Sequence, residues 1–253
     1  MPLCKFLTPG EDWKMKPCYK IAGLTVAMES FGRTITQAKI YRCDSTEKVD
    51  FEIKSPWEAN KHLYPKVDDD IGEYLATGSD FYKKLLRFQG FMLHSSAVVV
   101  DEKAYLFTAD SGTGKSTHTV LWLEQFGERA YILNDDKPAL RRIEGKWYAF
   151  GTPWSGKHDI SANVQVELAG IAILERSESN CIAPCMGTEA ILKILRQANK
   201  HKDKQSRDLL LDLVNKLITE IPVWKLQCNM DPEAAVIAYK AMSQEPRRNC
   251  NEK

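Results

Sequence analysis

The sequence predicts an α/β fold in which helices flank a core sheet, with a small β-rich part ahead of it. From residue 91 onward, short continuous apolar runs rich in β-branched and aromatic residues are typical of buried strands. Segments of helical length separate several of these runs. Between residues 19 and 54, apolar and polar residues alternate instead, as in strands with one buried face. Strands that alternate with helices indicate helices packed against a sheet.

The N-terminal elements are predicted from alternation and capping signals. Alternating runs within residues 19–54, with Gly and Asp between them, predict a small group of strands. An acidic turn follows at 68–70, and helical spacing then predicts a helix near 79–88 with Asp80 as its N-cap. Gly90 ends this helix, and we place a domain boundary there.

Three regions follow from that boundary: a β-rich N-terminal part (1–90), a core domain (91–246) and a tail (247–253). The core domain is predicted to begin with three strands, and a helix over 116–126 precedes the third of them. The later elements are also predicted in chain order: a hairpin turning at Glu144-Gly145, a strand at VQVELAGIAILER, helices over 188–200 and 206–220 with Ser206 as a cap, a strand at PVWKLQC, and a helix from Asp231-Pro232.

Composition excludes several functional classes. The 35 Lys+Arg and 34 Asp+Glu residues give a net charge of +1, which removes the electrostatic case for general nucleic-acid binding. No run approaches the roughly 18 apolar residues of a membrane span, and no signal peptide is visible, so we predict a cytoplasmic protein. The seven cysteines form no C-x-x-C pair, which favours reduced structural thiols over a zinc site or a disulfide framework.

The most informative stretch is the segment ADSGTGKST at residues 109–117, which follows an apolar strand and opens a helix. Two glycines in such a turn allow successive backbone N–H groups to point at phosphate oxygens, and the helix adds the positive end of its dipole. The segment therefore predicts a phosphate-binding loop (P-loop), although the pattern G-x-x-x-x-G-K-[ST] usually has Gly where this chain has Ala109. The predicted nucleotide-binding residues are Asp110, Ser111, Gly112, Thr113, Gly114, Lys115, Ser116 and Thr117.

Two adjacent carboxylates, Asp135 and Asp136, follow the next strand of the predicted sheet. Opposite a phosphate loop, such a pair allows one carboxylate to bind Mg²⁺ and the other to accept the proton of a nucleophile. The structural alternative is a turn at the strand end that Asp side chains stabilise.

Two other classes of P-loop protein are excluded by missing motifs. Signalling GTPases are excluded because no N-K-x-D motif is present, and transporter ATPases are excluded because their serine-glycine signature is absent.

Together, SGTGKST, the Asp-Asp pair and an upstream histidine resemble the HPr kinase/phosphorylase and PEP-carboxykinase type of P-loop protein. In that family a His precedes the loop on the preceding strand, where this chain has His94. The family also has a strand motif of the form Glu-x-x-Gly-Leu-Gly-Ile-Ile. The segment from Glu167 to Leu174 is similar to it and keeps the Glu and the first Gly. The resemblance covers roughly residues 91–180 and implies an HPr kinase-like core fold.

The resemblance also implies roles for single residues. Lys115 would contact the phosphates, Ser116 would bind Mg²⁺, and Asp135 would be the catalytic base with Asp136 toward the metal, an assignment that could be reversed. Glu167 would be a second metal ligand, and the alternative is an exposed strand residue. His94 would be a charged neighbour that tunes Asp135, and the alternative is a structural histidine. Three residues are candidates for the family's catalytic arginine: Arg176, Arg196 and Arg207.

The segment 151–158 (GTPWSGKH) joins a hairpin to the next strand and leaves two interpretations open. As a functional loop it would border the nucleotide or the acceptor, with Lys157 near the transferred phosphate. As a structural loop it would anchor the hairpin through a buried Trp154 and leave Lys157 in solvent.

These observations predict a Mg²⁺-dependent kinase that moves the γ-phosphoryl group of ATP to a hydroxyl, either of a serine in a peptide or protein or of a small molecule. Two other functions compete with it: a non-catalytic, nucleotide-responsive binding module and a simple ATPase. The sequence leaves open the acceptor and whether the donor is ATP, GTP, ADP or pyrophosphate. The oligomeric state is equally open: HPr kinases assemble as hexamers, which makes a homo-oligomer one possibility, but the sequence identifies no interface residues.

Overall fold

The computed structural model describes residues 16–44 and 48–244. Within these residues the chain forms two mixed sheets and seven α-helices, so the predicted α/β class is confirmed at this level. The predicted tail, 247–253, lies outside the described residues. The five cysteines in the described part of the chain are free thiols, as the sequence predicts. No helix in the described ranges combines the length and apolar character that crossing a membrane requires.

The N-terminal part is built on a four-stranded sheet with strand order β3-β1-β2-β4. Its first two strands form a hairpin whose turn, Ala22-Gly23, has positive φ at both residues (51° and 74°), as a two-residue turn of type I′ requires. The strands are β1 (Cys18–Ile21), β2 (Leu24–Met28), β3 (Arg42–Cys43) and β4 (Phe51–Ile53). The helices of this part are α1 (Gly32–Gln37), α2 (Trp57–Asn60) and α3 (Asp69–Leu85).

Helix α3 begins ten residues before the predicted helix, so the predicted start near residue 79 with Asp80 as the cap is wrong. Asp68 is the N-cap and accepts a hydrogen bond from the Asp70 amide at 2.9 Å. Gly72 and Gly78, which weaken the helical pattern in the sequence, are packing positions. A Cβ at Gly72 would lie 2.3 Å from the Trp57 ring, and one at Gly78 would lie 2.9 Å from the Trp154 ring.

The core domain contains a nine-stranded sheet, with seven strands in the order β5-β9-β10-β11-β7-β6-β8 and β13 and β12 added beside β11. Strand β6 runs antiparallel to both β7 and β8, while β11 runs parallel to β7 and to β13. Strands β7, β8, β11 and β13 therefore all end at the same edge of the sheet. The strands are β5 (Gly90–Met92), β6 (Ser95–Val100), β7 (Lys103–Thr108), β8 (Ala130–Asn134), β9 (Ala139–Ile143), β10 (Lys146–Phe150), β11 (Gln165–Arg176), β12 (Cys181–Pro184) and β13 (Val223–Cys228).

The core-domain helices are close to their predicted positions. Glu144 and Gly145 form the predicted hairpin turn, both with positive φ. The N-cap of α6 is Asp203, which accepts from the Ser206 amide at 2.9 Å, so the prediction of Ser206 as the cap is wrong. The helices are α4 (Lys115–Phe126), α5 (Gly187–Gln197), α6 (Lys204–Glu220) and α7 (Glu233–Met242).

One buried apolar cluster contains residues from both sides of the predicted boundary at residue 90. Tyr19 and Phe81, from the N-terminal part, belong to the same cluster as Ala139, Phe150 and Trp154 from the core domain. The N-terminal elements thus pack against the strands that lead to the loop at 151–158. The boundary itself stays a prediction.

Candidate functional site

Three segments meet at the edge of the core sheet where its parallel strands end. The loop 109–114 follows β7, the Asp135-Asp136 pair follows β8, and His94 immediately precedes β6, which lies between those two strands. Backbone hydrogen bonds join the segments, because the Ser95 amide donates to the Asp136 carbonyl at 3.1 Å. The structure therefore brings the predicted loop, acidic pair and histidine together.

The loop has the backbone conformation that its glycines permit. Gly112 and Gly114 have φ of 79° and 119°, values that favour glycine, and Ala109 is not among the positive-φ residues. A Cβ added at Gly112 or Gly114 would have no neighbour within 4 Å, so there is open space at both positions. Helix α4 begins at once with Lys115. This open turn at a helix N-terminus fits a polyphosphate.

Lys115 lies among carboxylates. Its Nζ donates to the Ala109 carbonyl at 3.0 Å. Burial lowers the pKa of Lys115 below its usual value, against the opposing charges of Asp136, Asp110 and Asp135. Ser116 is exposed, and within the described residues its hydroxyl has no hydrogen-bond partner. Lys115 and Ser116 are therefore available to a phosphate group and to a cation bound to it.

The two aspartates of the pair are held differently. Asp135 accepts a hydrogen bond from the Ser96 hydroxyl through Oδ1 at 2.6 Å. Ser96 in turn lies 3.0 Å from the Thr119 hydroxyl on α4. Among the described residues, Oδ2 of Asp135 has no hydrogen-bond partner. Asp135 is thus oriented through one oxygen while the other stays free to accept a proton.

Asp136 contacts a nitrogen of a basic side chain through each of its oxygens. His94 Nε2 lies 3.2 Å from Oδ1, and Lys137 forms an ion pair with Oδ2. Burial by itself would raise the pKa of Asp136, but the hydrogen bond with His94 and the charge of Lys137 outweigh it, and the pKa is lowered. A carboxylate with a lowered pKa is a weaker proton acceptor, so Asp136 suits a metal ligand better than a base. His94 therefore contacts Asp136, whereas the sequence resemblance implied Asp135 as its neighbour.

Asn134, which the sequence analysis did not single out, fixes the turn that carries the pair. It is fully buried, and its Oδ1 accepts from the amides of Asp136 and Lys137 at 3.1 and 2.8 Å. Its Nδ2 donates to the Thr152 carbonyl at 3.0 Å and to the Ser161 hydroxyl at 3.2 Å. The only sequence signal was an amide side chain just before two acids at a strand end.

Gln197, at the end of α5, connects the loop to His94 and was also missed. Its Nε2 donates to Asp110 Oδ1 at 2.9 Å, and its Oε1 lies 3.3 Å from His94 Nδ1. Gln197 also lines a cavity of about 540 Å³ beside the first half of the loop. No motif marks a glutamine so distant in sequence.

Of the three candidate arginines, Arg176 and Arg196 line this cavity. Arg176 supports the loop directly, since it donates to the carbonyls of Gly112 at 2.6 Å and Thr113 at 3.2 Å. Arg207 instead donates to the Lys202 carbonyl on the connection into α6, and it does not line the cavity.

The structure does not bring Glu167 to the site. Glu167 pairs in register with Lys103, the first residue of β7, whereas the loop follows the last residue of that strand. A six-residue strand separates the two ends by about 17 Å. The Glu167 carboxylate forms an ion pair with Lys103 at 2.9 Å. The prediction of Glu167 as a second metal ligand is therefore wrong, and its carboxylate instead forms an ion pair at the start of β7.

The loop at 151–158 shows the features of its structural interpretation. Trp154 is 1% exposed and packs on Phe81 and Tyr82, with ring centroids 4.9 and 5.5 Å apart. Lys157 is exposed. The same loop still borders the acidic pair, because a Cβ at Gly156 would lie 2.9 Å from Asp136 Cβ.

In the described part of the chain, no cluster of three or more His, Cys, Asp or Glu residues is arranged to hold a metal ion.

Comparison with solved structures finds similarity to the HPr(Ser) kinase/phosphatase from Coxiella burnetii. The match has 18% sequence identity and a TM-score of 0.29, and it covers 51% of this chain and 90% of that chain. That protein is of the type that the motifs of this sequence resemble. No family model and no curated protein matches the sequence. The roles of residues therefore rest on the geometry of the site.

Proposed function

We propose that the protein is a Mg²⁺-dependent phosphotransferase that moves the γ-phosphoryl group of ATP to a hydroxyl of a serine or of a small molecule. One observation carries the proposal: an open glycine turn, Lys115 and two differently held aspartates meet at the carboxyl edge of a sheet. This combination offers a phosphate cradle, a cation ligand and a proton acceptor together.

Each part has a distinct task in this proposal. The loop amides, the helix α4 N-terminus and Lys115 would bind the phosphates, and Arg176 holds the loop in shape through its carbonyls. Ser116 and Asp136 would hold Mg²⁺, whose charge would neutralise the phosphates. Asp135, through its free Oδ2, would accept the proton of the attacking hydroxyl. Catalysis then consists mainly of positioning and charge neutralisation.

A nucleotide-responsive binding module would share the phosphate cradle but would have no use for a proton acceptor. The different environments of Asp135 and Asp136 favour the kinase, because a binding module needs only the metal ligand. Consumption of ATP in the presence of a hydroxyl acceptor distinguishes the two functions.

Lys115→Ala is expected to weaken Mg²⁺–ATP binding by about 10- to 100-fold, because one hydrogen bond to a charged group contributes roughly 1.5–3 kcal/mol. Isothermal titration calorimetry of the full chain measures this. The control is Lys216→Ala, which removes an equal charge from an ion pair with Asp212 on α6. Wild-type affinity in Lys115→Ala, or no binding heat in the wild type, would contradict the proposal.

A further inference from the structure

Gly156, in the loop at 151–158, lies between the acidic pair and the N-terminal part of the chain. A Cβ added to Gly156 would lie 2.9 Å from Asp136 Cβ and 3.4 Å from Asp136 Oδ2, so the glycine backbone packs directly against this side chain. The φ of Gly156 is 78°, a value that favours glycine. A shift of Gly156 would therefore move the Asp136 carboxylate.

Three side chains of the N-terminal part bind the backbone of Gly156. The Gly156 amide donates a hydrogen bond to the Tyr74 hydroxyl on α3 at 3.1 Å. The Gly156 carbonyl accepts from the Arg33 guanidinium and from Gln37 Nε2, which lies 3.1 Å away. Arg33 and Gln37 both belong to α1. The backbone donor and the backbone acceptor of one residue beside Asp136 are thus both bound by helices that precede the core domain.

The ring of Tyr74 reaches Asp136 by a second path. Tyr74 is 4% exposed, and Lys137 Nζ lies 5.6 Å from the centroid of its ring. The same Nζ forms the ion pair with Asp136 Oδ2. The Arg33 guanidinium carbon lies 4.7 Å from the ring centroid. Because an aromatic ring attracts a cation through its quadrupole, Tyr74 helps to place the ammonium group that contacts Asp136.

The two helices that carry these side chains are joined to each other. The Arg33 amide donates to Asp70 Oδ1 at 2.5 Å, and the Thr34 hydroxyl donates to Glu73 Oε2. Both acceptors lie on α3, next to Tyr74 in the sequence or one helical turn before it. Arg33 and Tyr74 therefore project from a connected pair of helices, which makes them a fixed support for the loop.

We infer that Tyr74 is a positioning residue for phosphoryl transfer: through Gly156 and Lys137 it holds the Asp136 carboxylate in the orientation that a metal ligand requires. The inference rests on the proposed function, in which Asp136 holds Mg²⁺, and it gives the N-terminal part a role in the reaction. Burial raises the pKa of Tyr74 to about 12, so its hydroxyl is neutral at pH 7 and acts by hydrogen bonding rather than by charge. Residues that orient a metal ligand change the metal affinity when they are replaced.

Tyr74→Phe tests the inference, because it removes the hydroxyl and keeps the ring. Calorimetry on the full-length chain measures the affinity for the non-hydrolysable analogue AMP-PNP with Mg²⁺ and with EDTA, and the ratio of the two affinities is the gain due to Mg²⁺. Tyr74→Phe should lower this gain about three- to tenfold, the effect of one lost hydrogen bond, and leave the affinity in EDTA unchanged. The control is Tyr19→Phe, since Tyr19 is 1% exposed in the same apolar cluster and its hydroxyl has no hydrogen-bond partner within the described residues. Its gain should equal that of wild type.

A second variant, Gln37→Met, removes a donor to the Gly156 carbonyl without a change of charge, and circular dichroism checks the fold of every variant. Because Arg33 still donates to that carbonyl, the gain due to Mg²⁺ should fall only about two- to threefold. An unchanged gain in Tyr74→Phe overturns the inference. So does an equal loss of affinity with Mg²⁺ and with EDTA, which is the result that a purely structural role of Tyr74 would give. Absence of AMP-PNP binding in the wild type overturns the proposed function itself, so the two failures are distinguishable.

Discussion

Asp135→Asn is expected to lower the rate of γ-phosphoryl transfer from Mg²⁺–ATP by about 10²- to 10⁴-fold, the usual contribution of a positioned general base. Nucleotide binding should stay near wild type, because Lys115 and the loop are untouched. Asparagine keeps the shape of the side chain and can still accept from Ser96, which now orients the carboxylate at 2.6 Å. What it loses is a second oxygen able to take a proton.

The rate is measured with γ-labelled ATP, with free serine and water as hydroxyl acceptors. Asp136→Asn is the matched variant, since it makes the same chemical change one residue away. It is expected to raise the Mg²⁺ concentration at half-maximal rate, because Asp136, which His94 and Lys137 hold, is the proposed metal ligand. Wild-type turnover in Asp135→Asn would remove Asp135 from the mechanism. A shift in Mg²⁺ dependence confined to Asp135→Asn would reverse the two roles.

The parts of the site that the sequence predicts are those set by strand direction. A strand, a glycine turn and a helix place Lys115 at a carboxyl edge, and a second strand ending in Asp135-Asp136 reaches the same edge. The sequence resemblance also placed His94 near the acidic pair. It named the wrong aspartate, because which of two adjacent carboxylates faces His94 depends on the turn that Asn134 fixes.

The parts that could not be predicted depend on tertiary register. Glu167 matches a family motif in sequence, yet the parallel pairing of β11 with β7 places it opposite Lys103, at the wrong end of the strand. Gln197 and Arg176 reach the loop only because α5 and the end of β11 fold beside it. The start of α3 was missed because Gly72 lowers the helix propensity of its first turn. The glycine is there because the Trp57 ring packs against it, and Trp57 lies fifteen residues earlier in the sequence.

A glutamate on that same helix should control how stability depends on pH. Glu73 is 1% exposed, its Oε2 accepts from the Thr34 hydroxyl, and within the described residues its buried Oε1 has no partner. Burial raises the pKa of Glu73 from 4.5 to about 7, despite hydrogen bonds from Thr34 and from the Phe31 backbone. The folded state therefore binds more protons than the unfolded state between pH 4.5 and 7, and this contribution to stability is lost as the pH rises through that window.

Glu73→Gln removes the titration and keeps the shape. Relative to wild type, its free energy of unfolding should rise by about 3 kcal/mol between pH 4.5 and pH 8. Burial lowers the pKa of His118 to about 4, which gives the opposite slope, because the unfolded state then binds more protons between pH 4 and 6.5. The variant should therefore gain stability as the pH rises to 6.5, whereas the two slopes largely cancel in wild type.

Urea unfolding at pH 4.5, 5.5, 6.5 and 8 measures this difference. The control is Glu124→Gln, which removes the charge of an exposed side chain on α4. Its free energy of unfolding should depend on pH as that of wild type does. If Glu73→Gln also runs parallel to wild type, Glu73 is ionised in the folded protein, and an internal cation or bound water must stabilise its charge. A growing gap would show that α3 carries a neutral acid next to Tyr74, whose hydroxyl accepts from the Gly156 amide beside Asp136. The folded state would then lose this contribution as the pH rises from 4.5 to 7, because α3 must bury the charge of Glu73 above that window.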